Sequence, residues 1–184
     1  ITIGASTDKK LGLDGEDAEG VMSAVKFLRN VGIGQYDDLT GHNVAIIGGG
    51  NVAMDAARSA LRLGAEVHVI YRRSEAELPA RAEEVHHAKQ EGIIFDILTN
   101  PVEILEDEKG WVKGMKVIRM ELGEPDASGR RRPVEVKGSE FVIDCDTVIM
   151  SLGTSPNPLI ARTTEGLDIN KWKCIEADEK TGQT

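Results

Sequence analysis

The stretch VAIIGGGNVAMDAARSALRLGAEVHVIYRRS, residues 44–74, leaves few folds open to this chain. Its first strand, Asn43–Ile47, is uninterruptedly apolar from Val44 onward, the pattern of a strand buried on both faces of a parallel sheet. Gly48, Gly50 and Ala53 come next, and the apolar spacing over residues 51–63 predicts a helix that Gly64 ends. A second strand over Glu66–Tyr71 completes a strand–turn–helix–strand unit. Within such a unit Gly48 permits the tight turn, Gly50 lets a pyrophosphate approach the backbone, and small Ala53 lets helix and strand pack closely. The free N–H groups at the start of the helix favour the same phosphates. The ligand this pattern implies is a dinucleotide.

The end of the second strand is unusual for such a site. Where a carboxylate commonly accepts hydrogen bonds from the ribose hydroxyls, the chain has Tyr71, Arg72 and Arg73. A guanidinium grips a phosphate through paired, charge-assisted hydrogen bonds, each worth about 1.5–3 kcal/mol. At about 1.4 kcal/mol per factor of ten, one such contact prefers a 2′-phosphorylated cofactor by one to two decades. NADPH is therefore the expected ligand, with Arg72 and Arg73 as its clamp. Arg81, on the next helix, either closes the same pocket or is a solvated helix charge.

Beyond this unit, residues 79–90 predict a charged helix and residues 93–98 a third strand, after which short β runs with turns between them predict an antiparallel meander. The run DTVIMSLG reads as a buried strand ending in Gly153. Toward the N-terminus, residues 1–4 form a short apolar run, LGLDGEDAEG reads as loop, residues 18–31 carry apolar residues at helical spacing, and residues 36–41 have the composition of a linker. The expected fold class is α/β: a Rossmann-like, three-layer ββα dinucleotide-binding domain with a parallel sheet and an antiparallel β-meander.

Composition narrows the function further. With a net charge of -9 and no basic stripe, the chain does not suit nucleic acid. No apolar run of about 18 residues is present to span a membrane. Cys145 and Cys174 lie far apart without a CxxC pair, and His86 and His87 have no partner at ligand spacing, so no metal site is expected and reduced thiols of a cytoplasmic protein are. Arg130, Arg131 and Arg132 read as a hairpin tip in solvent, with docking of an acidic partner as the alternative. No catalytic acid, base or nucleophile can be assigned, which suits hydride transfer, where the protein positions and polarises.

Three longer strings carry a resemblance: the segment from GGGNVAMD through YRRSEAELPARAEEV to HHAKQEG, then RMELGEPDASGRRRPV, then DTVIMSLGTSPNP. Together they resemble the NADPH-binding domain of the glutamate synthase small (β) subunit. They are also similar to ferredoxin-dependent NADP oxidoreductases and to the flavin half of dihydropyrimidine dehydrogenase. The resemblance implies a NADPH domain, residues 39–153, inserted into a FAD domain, with residues 1–38 a FAD-domain fragment and linker helix and residues 154–184 the return segment. It implies that Gly48, Gly49, Gly50, Asn51 and Val52 hold the pyrophosphate and that Arg72, Arg73 and Arg81 meet the 2′-phosphate. Ser151, Leu152 and Gly153 would lie along the nicotinamide. Hydride would pass from NADPH to FAD and electrons on to iron–sulfur clusters, with the glutamate synthase large subunit as partner. The chain begins at Ile1 as though in mid-strand. It is expected to be an excised piece that binds NADPH, holds FAD weakly or not at all, and does not turn over alone. The alternatives are a ferredoxin–NADP or dihydropyrimidine dehydrogenase type of electron-input subunit and, in another class, a non-catalytic NADP(H)-sensing module.

Overall fold

Val44, Ala45 and Ile46 are wholly shielded from solvent at the centre of a five-stranded parallel sheet, in the computed structural model, which describes residues 5, 7–36, 38–127, 129 and 131–184. The apolar run over residues 1–4 and Arg130 lie outside the described residues. In chain order the elements are β1 (Thr7–Asp8), β2 (Val21–Ser23), α1 (Ala24–Gly32), β3 (Asn43–Ile47), α2 (Asn51–Arg62), β4 (Glu66–Tyr71), α3 (Ala82–Gln90) and β5 (Ile94–Ile97). After them come β6 (Thr99–Glu106), β7 (Val112–Pro125), β8 (Arg131–Glu135), β9 (Phe141–Ile143), β10 (Thr147–Met150), β11 (Thr154–Ser155) and α4 (Pro158–Thr163).

The chain forms two compact units, and the larger, Lys10–Ser151, holds the parallel sheet in the order β2-β10-β3-β4-β5. Strands β3 and β10 lie inside the sheet with a parallel neighbour on each side, and every residue from Val44 to Ile47 and from Thr147 to Met150 is buried, so both of their faces are covered. That is why these strands read as unbroken apolar runs rather than alternating ones. Helix α2 lies on the sheet through Ala53, Met54, Ala56, Ala57 and Ala60, all fully buried at helical spacing. Four of those five are alanines, so the helix axis can approach the strands closely.

Two departures occur at the N-terminal side. The helix expected over residues 18–31 starts only at Ala24, because Val21–Ser23 pairs in parallel with β10 instead. The Ser23 hydroxyl then accepts a hydrogen bond from the Lys26 N–H and caps α1. The segment 36–41, read as a linker, belongs to the same core: Leu39 is buried and its N–H donates to the Leu63 carbonyl at 2.7 Å. Phe27 of α1 is fully buried and meets Tyr36 edge to face with ring centroids 4.8 Å apart.

The loop LGLDGED is a built turn. Glu16, 8% exposed, accepts backbone N–H bonds from Leu11, Gly12 and Leu13. After β5 the chain turns through Leu98 (φ +50°) into the antiparallel sheet. There β6, β7 and β8 pair in sequence, and β9 pairs with β7 as well. The meander was expected; β9, three residues long, was not. Residues 79–81, expected to open the charged helix, are held outside it, since the Ala80 N–H donates to the Gly49 carbonyl and the Arg81 N–H to Asn51 Oδ1.

Strands β4 and β5 are also tied by side chains. His68 Nδ1 lies 2.8 Å from Asp96 Oδ2, and Glu66 sits 3.6 Å from the other ring nitrogen. The Asp96 hydrogen bond holds the His68 pKa above its ordinary value, against the opposing effect of burial. A folded-state pKa above the unfolded one adds stability that is complete below the unfolded value, about 6.5, and is lost as pH rises through the folded value. Thermal melts from pH 5 to 9 are therefore expected to show a decline that His68→Gln flattens.

The smaller unit comprises Ile1–Lys9 and Leu152–Thr184. In it β1 pairs antiparallel with β11, and α4 is capped by Asn157, whose Oδ1 accepts the Leu159 N–H at 2.9 Å. No helix among the described residues is long and apolar enough to cross a membrane.

Candidate functional site

The three glycines after β3 differ in what surrounds them. At Gly48 (φ +139°) a Cβ would stand 2.4 Å from the Ser151 carbonyl oxygen. At Gly49 it would strike Tyr71 and Leu78, each at 2.7 Å. At Gly50, the N-cap of α2, it would meet nothing within 4 Å. Two glycines are thus required by the protein's own packing, whereas the third stands beside open space at a helix start. With no side chain to cap it, the helix leaves its first N–H groups to whatever occupies that space. Asn51 and Val52 are exposed there. A pyrophosphate fits this surface: backbone donors, a favourable dipole and no Cβ in the way.

The segment carrying the arginines is pinned at both ends. Before them the Tyr71 hydroxyl donates to the Glu77 carbonyl at 2.8 Å; just after them a short 3₁₀ turn, Glu75–Glu77, is fixed by reciprocal hydrogen bonds between Ser74 and Glu77. Arg73 itself is held by its carbonyl, which accepts the Leu98 N–H at 2.9 Å. Arg72 and Arg73 line one cavity of about 700 Å³ together with Asn100 and Arg132. Arg73 Nε is buried with no hydrogen-bond partner among the described residues. An unpaired buried guanidinium nitrogen is costly, and the guanidinium groups lining the cavity suit an anion.

Arg81 is exposed and does not line that cavity; its backbone is fastened to Asn51, beside the glycine turn. Arg132, which the sequence places at a solvent-facing hairpin tip, lines the cavity with Arg72 and Arg73. The tripled arginine was the only signal for it, and nothing local says where a hairpin folds back.

Ser151 closes the larger unit. Its N–H donates to the Ile47 carbonyl at 2.8 Å, while its Oγ is buried without a partner among the described residues. Leu152 and Gly153 belong to the smaller unit, where Gly153 (φ +83°) accepts the Lys9 N–H at 3.2 Å. The described residues contain no cluster of side chains fit to hold a metal ion.

The family model described as "Pyridine nucleotide-disulphide oxidoreductase" matches residues 1–184, the whole chain. The chain belongs to this family. Relatives with curated names agree with it. The chain is 53% identical over 184 residues to the NADP(+)-dependent formate dehydrogenase subunit beta of Moorella thermoacetica, covering 98% of the chain and 26% of that protein. It is 39% identical over 190 residues to the glutamate synthase [NADPH] small chain of Escherichia coli, covering 97% of the chain and 40% of that protein. The chain thus spans about a quarter to two fifths of the length of these relatives. Among solved structures, FprA of Mycobacterium tuberculosis in complex with NADPH matches with a TM-score of 0.70 and 22% identity over 91% of this chain and 51% of that one. That likeness supports the fold of this oxidoreductase family.

The disulphide in the family name has no counterpart in a reactive thiol of the parallel-sheet unit. Both cysteines are free, and burial, reinforced by Asp146 and Asp144, pushes the Cys145 thiol up to about 12. It stays protonated and is no nucleophile at neutral pH.

Proposed function

We propose that this chain is the NADPH-binding domain of a flavin-dependent oxidoreductase that takes hydride from NADPH. The observation that carries the reading is the cavity beyond β4, lined by Arg72 and Arg73, on the strand that pairs with the glycine-turn strand β3. The backbone from Gly48 to Val52 holds the pyrophosphate, Arg72 and Arg73 hold the 2′-phosphate, and Ser151 lines the nicotinamide end. Arg81 contributes charge nearby. The cofactor supplies the hydride; the protein's part is to fix its two ends and exclude the unphosphorylated analogue.

FAD, iron–sulfur clusters and the final acceptor belong to the whole protein, of which this chain is one domain. Higher identity to the formate dehydrogenase β subunit (53%) than to the glutamate synthase small chain (39%) favours an electron-input subunit of the former kind. A glutamate synthase small subunit, partnered by its large subunit, is the second reading, supported by the YRRSEAELPA and RMELGEPD strings. The antiparallel pair β1–β11 suits two chain crossings side by side into a FAD domain, and counts against a freestanding NADP(H) sensor. Free cysteines suit the reducing cytoplasm.

Calorimetric titration with NADPH and, separately, NADH tests this. A preference for NADPH of about tenfold or more is expected from one charge-assisted phosphate contact. Equal binding of the two would remove the NADP assignment, and binding of neither would remove the dinucleotide reading.

A further inference from the structure

We propose that the β7–β8 hairpin supplies the outer wall of the 2′-phosphate site, with Arg132 and Lys137 as specificity-determining residues for the phosphorylated cofactor. This rests on the NADP(H) reading above and extends it to a part of the chain outside the βαβ unit.

The cavity lined by Arg72 and Arg73 is also lined by Arg132 and Lys137, four cations against a single carboxylate, Glu135. None of the four cations has an ion-pair partner among the described residues. In a chain of net charge -9 such a concentration of unpaired positive charge is local and self-repelling until an anion enters. The volume of about 700 Å³ lies within the range of small-molecule sites, roughly 300–1,000 Å³. Met120, Pro133 and Val134 give it apolar wall as well, suited to the flat base that accompanies a ribose phosphate.

The hairpin is coupled to the arginine segment through backbone. The Leu98 N–H donates to the Arg73 carbonyl at 2.9 Å, the Met120 N–H donates to the Leu98 carbonyl at 2.8 Å, and Met120 stands opposite Glu135 in the β7–β8 register. On the far side the Val136 N–H donates to the Arg119 carbonyl at 2.9 Å, and the Ser139 hydroxyl accepts the Arg119 N–H and donates to the Val136 carbonyl. Arg132 and Lys137 therefore flank a stretch whose position relative to Arg73 is set by a continuous ladder. The ligand chemistry is a phosphate monoester on a ribose, which gathers guanidinium donors bidentately. A cavity rather than a protruding patch favours this small anion over the acidic protein partner that the bare arginine run suggests.

The experiment titrates the purified protein, and its Arg132→Ala, Arg132→Lys and Lys137→Ala variants, with adenosine 2′,5′-bisphosphate, 5′-AMP, NADPH and NADH. The expected result is a loss of about tenfold for the bisphosphate and for NADPH in Arg132→Ala, with NADH within about twofold of the parent. Arg132→Lys should recover only part, since an ammonium lacks the planar fork. Unchanged bisphosphate affinity in both alanine variants would overturn the inference and, with the parent still preferring NADPH, leave the proposed function standing. A parent that does not distinguish the bisphosphate from 5′-AMP would sink both. Equal losses for NADPH and NADH would make the hairpin a structural support and also overturn the inference; retained NADH binding is the control for folding.

Discussion

Gly48→Ala is expected to cost about 3 kcal/mol of stability and to abolish dinucleotide binding, while Gly50→Ala, two residues on, leaves stability nearly unchanged and weakens binding alone. Gly48 sits at φ +139°, and its Cβ would stand 2.4 Å from a backbone oxygen, that of Ser151. Backbone strain at a positive φ costs about 1–3 kcal/mol, and forcing an atom into a closed space costs a similar amount. A backbone oxygen cannot swing aside like a side chain. The end of β10 must move, and with it the Ser151 N–H that donates to the Ile47 carbonyl at 2.8 Å. Against a total of about 5–15 kcal/mol this is a large fraction. Gly50 has φ −88° and open space around it, so an alanine there is tolerated by the protein and resented only by a ligand. Urea unfolding of both variants, alongside NADPH titration, separates the two roles. Equal destabilisation by the two substitutions would refute the division between a packing glycine and an approach glycine.

That division was only half legible in the sequence. The order strand, glycines, helix, strand fixed β3, α2 and β4 to within a residue, because each boundary is set by neighbours: apolar runs, a helix start after Gly50, a Gly64 stop. The reason for Gly48 was not local, since Ser151 approaches it from β10 at the other end of the same unit. The same physics hid β2, whose three residues are strand only because β10 pairs with them. It hid β9 too, a three-residue strand on the edge of β7. Gly49 was carried by resemblance, and the structure supplies its reason in the rings and methyls of Tyr71 and Leu78. Arg72 and Arg73 stood out as candidates because the end of the second strand is where a ribose-binding group belongs, and the structure brings them to one cavity. Arg132 was visible as a residue but not as a neighbour of theirs, for its place depends on a hairpin register that no short pattern encodes. Arg81 shows the converse: a plausible charge on the next helix whose backbone is claimed by Asn51 and whose side chain does not enter the cavity.

The sharpest change in function is expected from Arg72→Asp, which should turn a preference for NADPH into a preference for NADH. Arg72 is exposed, lines the cavity and makes no ion pair among the described residues, so its replacement leaves the core untouched. Losing one charge-assisted phosphate contact costs about 1.5–3 kcal/mol, one to two decades in NADPH affinity. The new carboxylate then repels the 2′-phosphate at close range, adding to that loss, and accepts hydrogen bonds from the free ribose hydroxyls of NADH. Half-buried Arg73 remains in the lining of the cavity, so the loss for NADPH is large rather than complete. Arg72→Ala provides the intermediate, with the contact gone but no repulsion, and should narrow the preference for NADPH by about one to two decades without reversing it. Raising salt should shrink the parent's preference, because an exposed arginine is screened over about 10 Å at 0.1 M. Parallel NADPH and NADH titrations of the three proteins measure the order directly. If Arg72→Asp binds NADPH as the parent does, the 2′-phosphate is held elsewhere and the cavity beyond β4 is not its site.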